Sequence, residues 1–396
     1  MRQAGLTVIT EIHSGRAGVL PAVLRNAQAA DPFGQMSRVH YAAFVILPEI
    51  DGIPERLVME TNYDGDLNDH LEELVDRGGA VLDSIYQNCR KYPAGGSRDR
   101  QAVKEYFTKN SVSSAAFYVA LPGRSREDID NAIEVYEAAR TYLQSQCKAS
   151  DSRKLSVEDV WKKLVKHFRD PSTPQPIRSP VSQRQLTWCS RIWALILLIP
   201  SLLLLILLPF LLVIARIYEC HEARTPMRRR YPPNPLAYEY MNLGRQNHMC
   251  TLATVKLSRF RAVMIRLGLF LTKVLASKIF LLGRLDTITT IHFARWSLID
   301  KNRHVLFLTN YDGSWSSYID DFSNPPHLNG VWGNTERFPP TRFMLWQGAK
   351  LIQQFQAHVV EEFQPAYFFH RPYGDHTVQN LLRYLEFRDA LARALG

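Results

Sequence analysis

The chain has 396 residues, room for two or three domains at about 100–200 residues each. Hydrophobic residues make up 46% and charged residues 22%, ordinary globular proportions that exclude general disorder. A net charge of +10 favours an anionic partner, and five scattered cysteines, none spaced Cys-x-x-Cys, exclude a disulfide framework and a structural zinc site and fit a reducing compartment.

Met1 to Leu20 holds no apolar core of a signal peptide, so secretion is not expected. Alternation and turn residues predict strands near Leu6–Ile12, Arg38–Leu47, Arg56–Asn62 and Ala115–Leu121. Helices are expected near Val19–Ala29, Leu67–Asn88 (interrupted at Gly78-Gly79) and Arg126–Gln146. A basic stretch follows, Trp161-Lys162-Lys163-Leu164-Val165-Lys166-His167, which suits either anionic headgroups or an ordinary solvated helix. Asp170–Pro180 and Arg224–Pro235 are proline-rich linkers.

Between them, Ile192 to Ala215 runs 24 residues without Asp, Glu, Lys or Arg. As helix this is about 36 Å, against a hydrocarbon core of about 30 Å. The segment is expected to enter a bilayer. Pro200 and Pro209 divide it, and arginines flank both sides. It therefore reads as a hairpin or in-plane anchor, with a kinked single span as the alternative. The remaining strands fall near Met249–Leu257, Thr287–Ile299, His304–Asn310 and Ala366–Arg371. Helices are expected near Arg261–Lys278, Trp315–Phe322, Trp346–Glu362 and Val378–Leu395. The stretch Ala262–Leu282 is rich in Leu, Ile and Phe but carries Arg266, Lys273 and Lys278, and reads as a buried core helix or one resting on the membrane with its lysines snorkelling.

The two flanking parts repeat one design. Val39-His40-Tyr41-Ala42-Ala43-Phe44 leads to Thr61-Asn62-Tyr63-Asp64-Gly65, and Ile291-His292-Phe293-Ala294-Arg295-Trp296 leads to Thr309-Asn310-Tyr311-Asp312-Gly313. The offset is 252 residues at the histidines and 248 at the pentapeptides. Each part ends in an aromatic strand, a proline and a long helix, so the chain contains an internal duplication. Three regions follow: residues 1–150 as first copy, 151–240 as linker and membrane segment, and 241–396 as second copy.

The fold class is α+β: each copy has the β-α-β-β-α-β order of a ferredoxin-like unit. The pattern resembles the dimeric α/β-barrel superfamily with both protomers fused in one chain. That resemblance implies a pseudo-dimeric barrel with a shared core, which would keep both copies on one side of a membrane. The basic flanks point to the cytoplasmic face. The chain is also similar to dye-decolourising haem peroxidases, which are built from two ferredoxin-like halves and carry a G-x-x-D-G motif whose Asp serves the distal side of the haem. Here the register reads T-N-Y-D-G, with Thr61 or Thr309 in place of the first Gly. The resemblance implies haem as a cofactor, oxidoreductase chemistry, and a haem-ligand histidine in the second copy.

No G-x-G-x-x-G, Walker A, H-E-x-x-H or G-x-S-x-G motif occurs, and the basic excess clusters beside the apolar run, which argues against nucleic acid. Candidate catalytic residues are His292, Arg295, Asp312, His370 and Arg371. Arg295 stands where the first copy has Ala43, and His370 and Arg371 stand opposite Ala120 and Leu121. Competing structural roles are a turn and helix cap for Asp64 and Asp312, core positions for His40 and His292, and an Arg295–Asp312 ion pair. No metal site is expected. The leading function is handling a hydrophobic or lipid-derived ligand at a membrane, with oxidoreductase chemistry as its enzymatic form; the alternative is a non-catalytic lipid-binding or scaffold protein.

Overall fold

In the computed structural model, the described residues are 2–149, 156–177, 207, 209–222, 240–278, 283–285, 287–323 and 327–396. The fold is α+β with two antiparallel sheets, one of four strands and one of five. The first three strands are β1 (Gln3–Glu11), β2 (Val39–Leu47) and β3 (Arg56–Asp64), and helix α1 (Leu20–Ala30) separates β1 from β2. There follow α2 (Leu67–Tyr86), α3 (Arg100–Lys109), β4 (Ala116–Val119), α4 (Arg126–Ala149) and α5 (Val157–His167). Residues 209–222 are helical and form α6. The second part contains β5 (Gln246–Thr254), α7 (Arg259–Lys278), β6 (Ile291–Ile299), β7 (His304–Asp312), α8 (Trp315–Ser323) and α9 (His327–Trp332). It ends with β8 (Thr341–Arg342), β9 (Trp346–Gln347), α10 (Ile352–Glu362), β10 (Phe363–Gln364), β11 (Ala366–His370) and α11 (Val378–Leu395).

The two sheets share a hydrogen-bond register. One sheet runs β1-β3-β2 and the other β5-β7-β6, with Gln3 opposite Asp64 and Gln246 opposite Asp312. Each has an irregularity at the same place, between Val39 and Tyr41 and between Ile291 and Phe293. The final strands are exchanged. Residues 110–112 run beside β1 (Ile9 N to Asn110 O, 2.9 Å; Val112 N to Thr7 O, 2.8 Å), after which β4 pairs with β6 of the other sheet. Reciprocally, β10 pairs with β5 and β11 with β2. The two sheets are thus joined along both edges and enclose a common interior. One hydrophobic cluster there draws Tyr41, Val45 and Val58 from one sheet and Cys250, Phe293 and Leu308 from the other.

Several sequence expectations shift. The Gly78-Gly79 pair does not interrupt α2. Both glycines are buried, and a Cβ on Gly79 would come within 2.7 Å of Ser97 Cβ, so they make room for the neighbouring turn. α3 was not expected; Asp99 starts it by accepting from Ala102 N. The start of the helix expected from Trp346 is instead β9 and a 3₁₀ turn over Gly348–Lys350, and α10 begins only at Ile352.

α5 turns its apolar side to the body. Leu164 and Phe168 are buried, Trp161 meets Phe387 edge-on and Tyr142 stacks on His167, leaving Lys162 and Lys163 exposed. Most of the apolar run, 192–206 and 208, lies outside the described residues. Among the described residues no helix is long and apolar enough to cross a membrane. The tail of the run, within α6, docks on the second part. Glu219 accepts from Thr341 Oγ1 (2.6 Å), Phe343 N (3.0 Å) and Met344 N (2.9 Å), and Glu222 accepts from Arg261 Nη2 at 2.8 Å.

Candidate functional site

The pentapeptides build a His–Asp pair twice. Gly65 and Gly313 take left-handed φ values of 95° and 86°, which ends each strand just after its aspartate. Asp312 Oδ1 accepts from His292 Nε2 at 2.7 Å, while its Oδ2 accepts from Val378 N at 2.7 Å, the first residue of α11. Asp64 Oδ2 accepts from Arg126 N at 2.6 Å, the first residue of α4, and Oδ1 lies 3.0 Å from His40 Nε2. That last contact is close but poorly aligned, so neither atom has a proper hydrogen bond. The aspartates are indeed helix caps, but of the last helix of each copy, not the one that follows in sequence. The strand irregularities set the histidines beside aromatic residues that face the interior.

The first pair has a further contact. His40 Nδ1 is hydrogen-bonded to the hydroxyl of Tyr373, which stands where the first copy has Gly123, and Arg126 lies 5.6 Å over the Tyr373 ring. The Tyr41 ring packs 5.2 Å from His292 and 5.7 Å from Tyr373, with its buried hydroxyl unpartnered. Burial, reinforced by Asp312, pushes the Tyr41 phenol well above its ordinary value. Burial does the same to Tyr373. Both therefore stay protonated at neutral pH.

Arg295 lies elsewhere in the interior and does not pair with Asp312. Its Nη1 donates to Leu6 O (2.8 Å) and Thr7 Oγ1 (3.0 Å), and its Nη2 donates to Thr61 O (2.8 Å) and to Asn62 Oδ1. The nearest carboxylate is Glu60, 3.6 Å from Nη2. A Cβ on Gly5 would fall 2.4 Å from Nη2, so the guanidinium occupies space that only glycine leaves. Glu60 also accepts from His248 Nε2 (2.7 Å) and from Asn62 Nδ2 (3.0 Å). Asn62 Nδ2 in turn donates to Asn310 Oδ1 at 3.0 Å, linking the two pentapeptides across the interior. Burial alone would raise the Glu60 carboxyl, but Arg295, His248 and Asn62 outweigh it and hold it below its ordinary value. This is a polar core in which a buried cation and a buried anion meet across the interior, with Arg295 Nε, His248 Nδ1 and Asn310 Nδ2 left without a hydrogen-bond partner.

The other two candidates stand apart. His370 Nδ1 bonds Asp31 Oδ2 at 2.8 Å, tying β11 to the end of α1. Arg371 is exposed and donates at 3.3 Å to Leu243 O and Gln246 O. The structure thus brings His292 and Asp312 together and leaves Arg295, His370 and Arg371 in three other environments. Sequence reasoning missed Glu60, His248, Asn62, Tyr41 and Tyr373. The repeat of Asn62 and Asn310 within identical pentapeptides was the available signal for one of these.

A haem served by Asp312 would need that carboxylate free, yet His292 and the α11 N-terminus take up one oxygen each. Tyr41, Phe293, Phe369 and Tyr373 fill the adjoining space, so the residues do not fit a haem there. Among the described residues no group of three or more His, Cys, Asp or Glu could hold a metal ion. A small apolar cavity lies on the outer face of the second sheet, bordered by Met249, Phe307, Trp332 and His358, with free volume of about 20 Å³, enough for one water. Burial lowers the His358 imidazole to about 3, with Arg337 and Lys256 adding to the effect. No protein-family model, curated protein or solved structure matches the chain.

Proposed function

We propose that the chain is a membrane-anchored protein that binds or presents a hydrophobic, lipid-derived ligand at a bilayer, with a body that is a scaffold and not a reaction centre. The body reads as two ferredoxin-like copies of a duplicated unit forming a pseudo-dimeric α/β barrel. The observation that carries the non-catalytic reading is the interior itself, filled by side chains and by the Arg295–Glu60–His248 network. The anchor reading rests on the run Ile192–Ala215.

Strand exchange bears on topology. Because each copy lends a strand to the other's sheet, a single crossing between them would divide one folded body. Both copies therefore belong on the same side, and the run enters and returns. Arginines on both flanks favour the cytoplasmic side. Purification of the full chain in mild detergent, with an absorption spectrum and mass spectrometry of the organic extract, tests the proposal. Co-purifying lipid without a visible absorption band is expected.

An oxidoreductase is the second reading, favoured by one observation: His292 and Asp312 sit beside Tyr41, whose buried hydroxyl has no partner. A visible chromophore that disappears in His292→Gln, with the variant still folded, would establish it and displace the scaffold proposal.

A further inference from the structure

α7 has two apolar faces. At about 100° per residue, Met264, Ile265, Leu269 and Thr272 share one arc, and all four are buried. The opposite arc holds Val263, Phe270 and Leu271, with Phe270 51% exposed, where a solvated helix would carry polar groups. Along one margin Arg259, Arg266 and Lys273 recur every seven residues, all exposed, and the helix contains no Asp or Glu.

This arc continues onto α6. Leu211 and Ala215 pack with Phe260, Met264, Leu267 and Met344, and Tyr218 stacks on Phe260 at 4.9 Å. The outward side of α6 shows Phe210 (67% exposed), Val213 and Ile217, and the β8–β9 hairpin that supplies Met344 leaves Trp346 56% exposed. Residues 209–215 of α6 are also the end of the apolar run in sequence, so the exposed face adjoins that run along the chain.

We infer that this face lies flat on an anionic bilayer, with Val263, Phe270, Leu271, the outward side of α6 and Trp346 at the acyl boundary and Arg259, Arg266 and Lys273 on lipid phosphates. The inference rests on the membrane-anchored reading and adds a second contact that fixes how the body is oriented. A bilayer fits better than a protein partner for two reasons. The surface continues a segment long enough to enter hydrocarbon, and its charged margin has one sign, the pattern of helices that lie in the interface. The long basic side chains reach the headgroups while their stems stay on apolar surface.

The test uses the full chain with Cys147, Cys189 and Cys220 replaced by serine. Cys89 and Cys250 are buried, and burial raises both thiols, Cys89 to about 11, so they do not compete for label. An environment-sensitive fluorophore is placed singly through Phe270→Cys, Leu204→Cys or Asn26→Cys and challenged with nitroxide-bearing lipid in phosphatidylcholine–phosphatidylserine vesicles. Probes at 204 and 270 should be quenched and the probe at 26 should not. Quenching at 270 should fall several-fold in pure phosphatidylcholine, and equally in mixed vesicles when Arg266→Gln and Lys273→Gln are added. A quenched 204 with 270 behaving like 26 would overturn the inference and leave the anchor standing. An unquenched 204 would remove the anchor and the inference together. Equal quenching at 270 in both vesicle types would refute the headgroup contact.

Discussion

α1 and α7 hold matching places in the chain, one following β1 and the other β5, yet they present opposite surfaces. α1 buries Leu20, Leu24 and Ala27 and gives solvent Arg25, Asn26 and Gln28, the ordinary division of a surface helix. α7 buries one apolar arc and exposes another. The interior diverges in a complementary way. Ala43 lies opposite Glu60 in the first sheet, while the matching pair in the second is Arg295 opposite Leu308. Gly5 and His248 correspond likewise, each facing the pentapeptide asparagine of its copy. The two parts share what closes the fold, the aspartates that cap α4 and α11 and the strands each part places in the other's sheet. They differ at the centre, where one part supplies the arginine and the other the glutamate.

The largest effect should come from breaking that central division. Arg295→Met leaves Glu60 buried beside His248 without its cation, and a loss of about 3–5 kcal/mol in denaturant unfolding is expected. Pairing it with Glu60→Leu should recover part of the loss, because both charges are then gone. A double variant as unstable as the sum of its singles would show that the two groups are not coupled.

Next is the acid limb of stability. His70 packs on Tyr63 with ring centroids 3.8 Å apart and bonds Thr61, while Tyr318 does the same to Tyr311 and Thr309 in the second copy. Burial, with Arg295 adding to it, lowers the His70 imidazole to about 3. The unfolded chain takes up a proton near pH 6.5 and the folded one does not until about 3, so stability present above pH 6.5 is lost as pH falls through that window. The slope is about 1.4 kcal/mol per pH unit for each such histidine. His358, also lowered to about 3, contributes in the same sense. His70→Tyr, which copies Tyr318, should flatten the slope by about half; an unchanged profile would mean that His70 is protonated in the folded protein.

Smaller still is Tyr373→Phe. It removes one hydrogen bond to His40, made from a position that Gly123 holds in the first part without a side chain, and a cost of about 0.5–1.5 kcal/mol is expected. A loss of several kcal/mol would mean that the first His–Asp pair depends on it.

Much of the fold was legible in the sequence because it is local. The β6 and β7 strands, α8 and α11 follow from period and turn residues, and the repeated TNYDG falls at the matching strand ends of β3 and β7. Strand exchange was not legible. Ala116–Val119 and Ala366–His370 look like strands from any pairing, and only long-range hydrogen bonds assign each to the other sheet. The partner of Arg295 was missed for a similar reason. Asp312 was the carboxylate in the same copy, but its oxygens are committed to His292 and α11, while Glu60, 235 positions away, faces the arginine across the interior. α3 escaped because its apolar face is short, with only Val103, Tyr106 and Phe107 buried.

The proposed placement has both parts of the chain in one body on one side of a membrane. It is tested most directly by tagging residue 1 and residue 396 and digesting sealed, oriented vesicles with protease. Both tags should be cleaved together or protected together, with the same detergent dependence. One tag cleaved and the other protected would place the copies on opposite sides and contradict it.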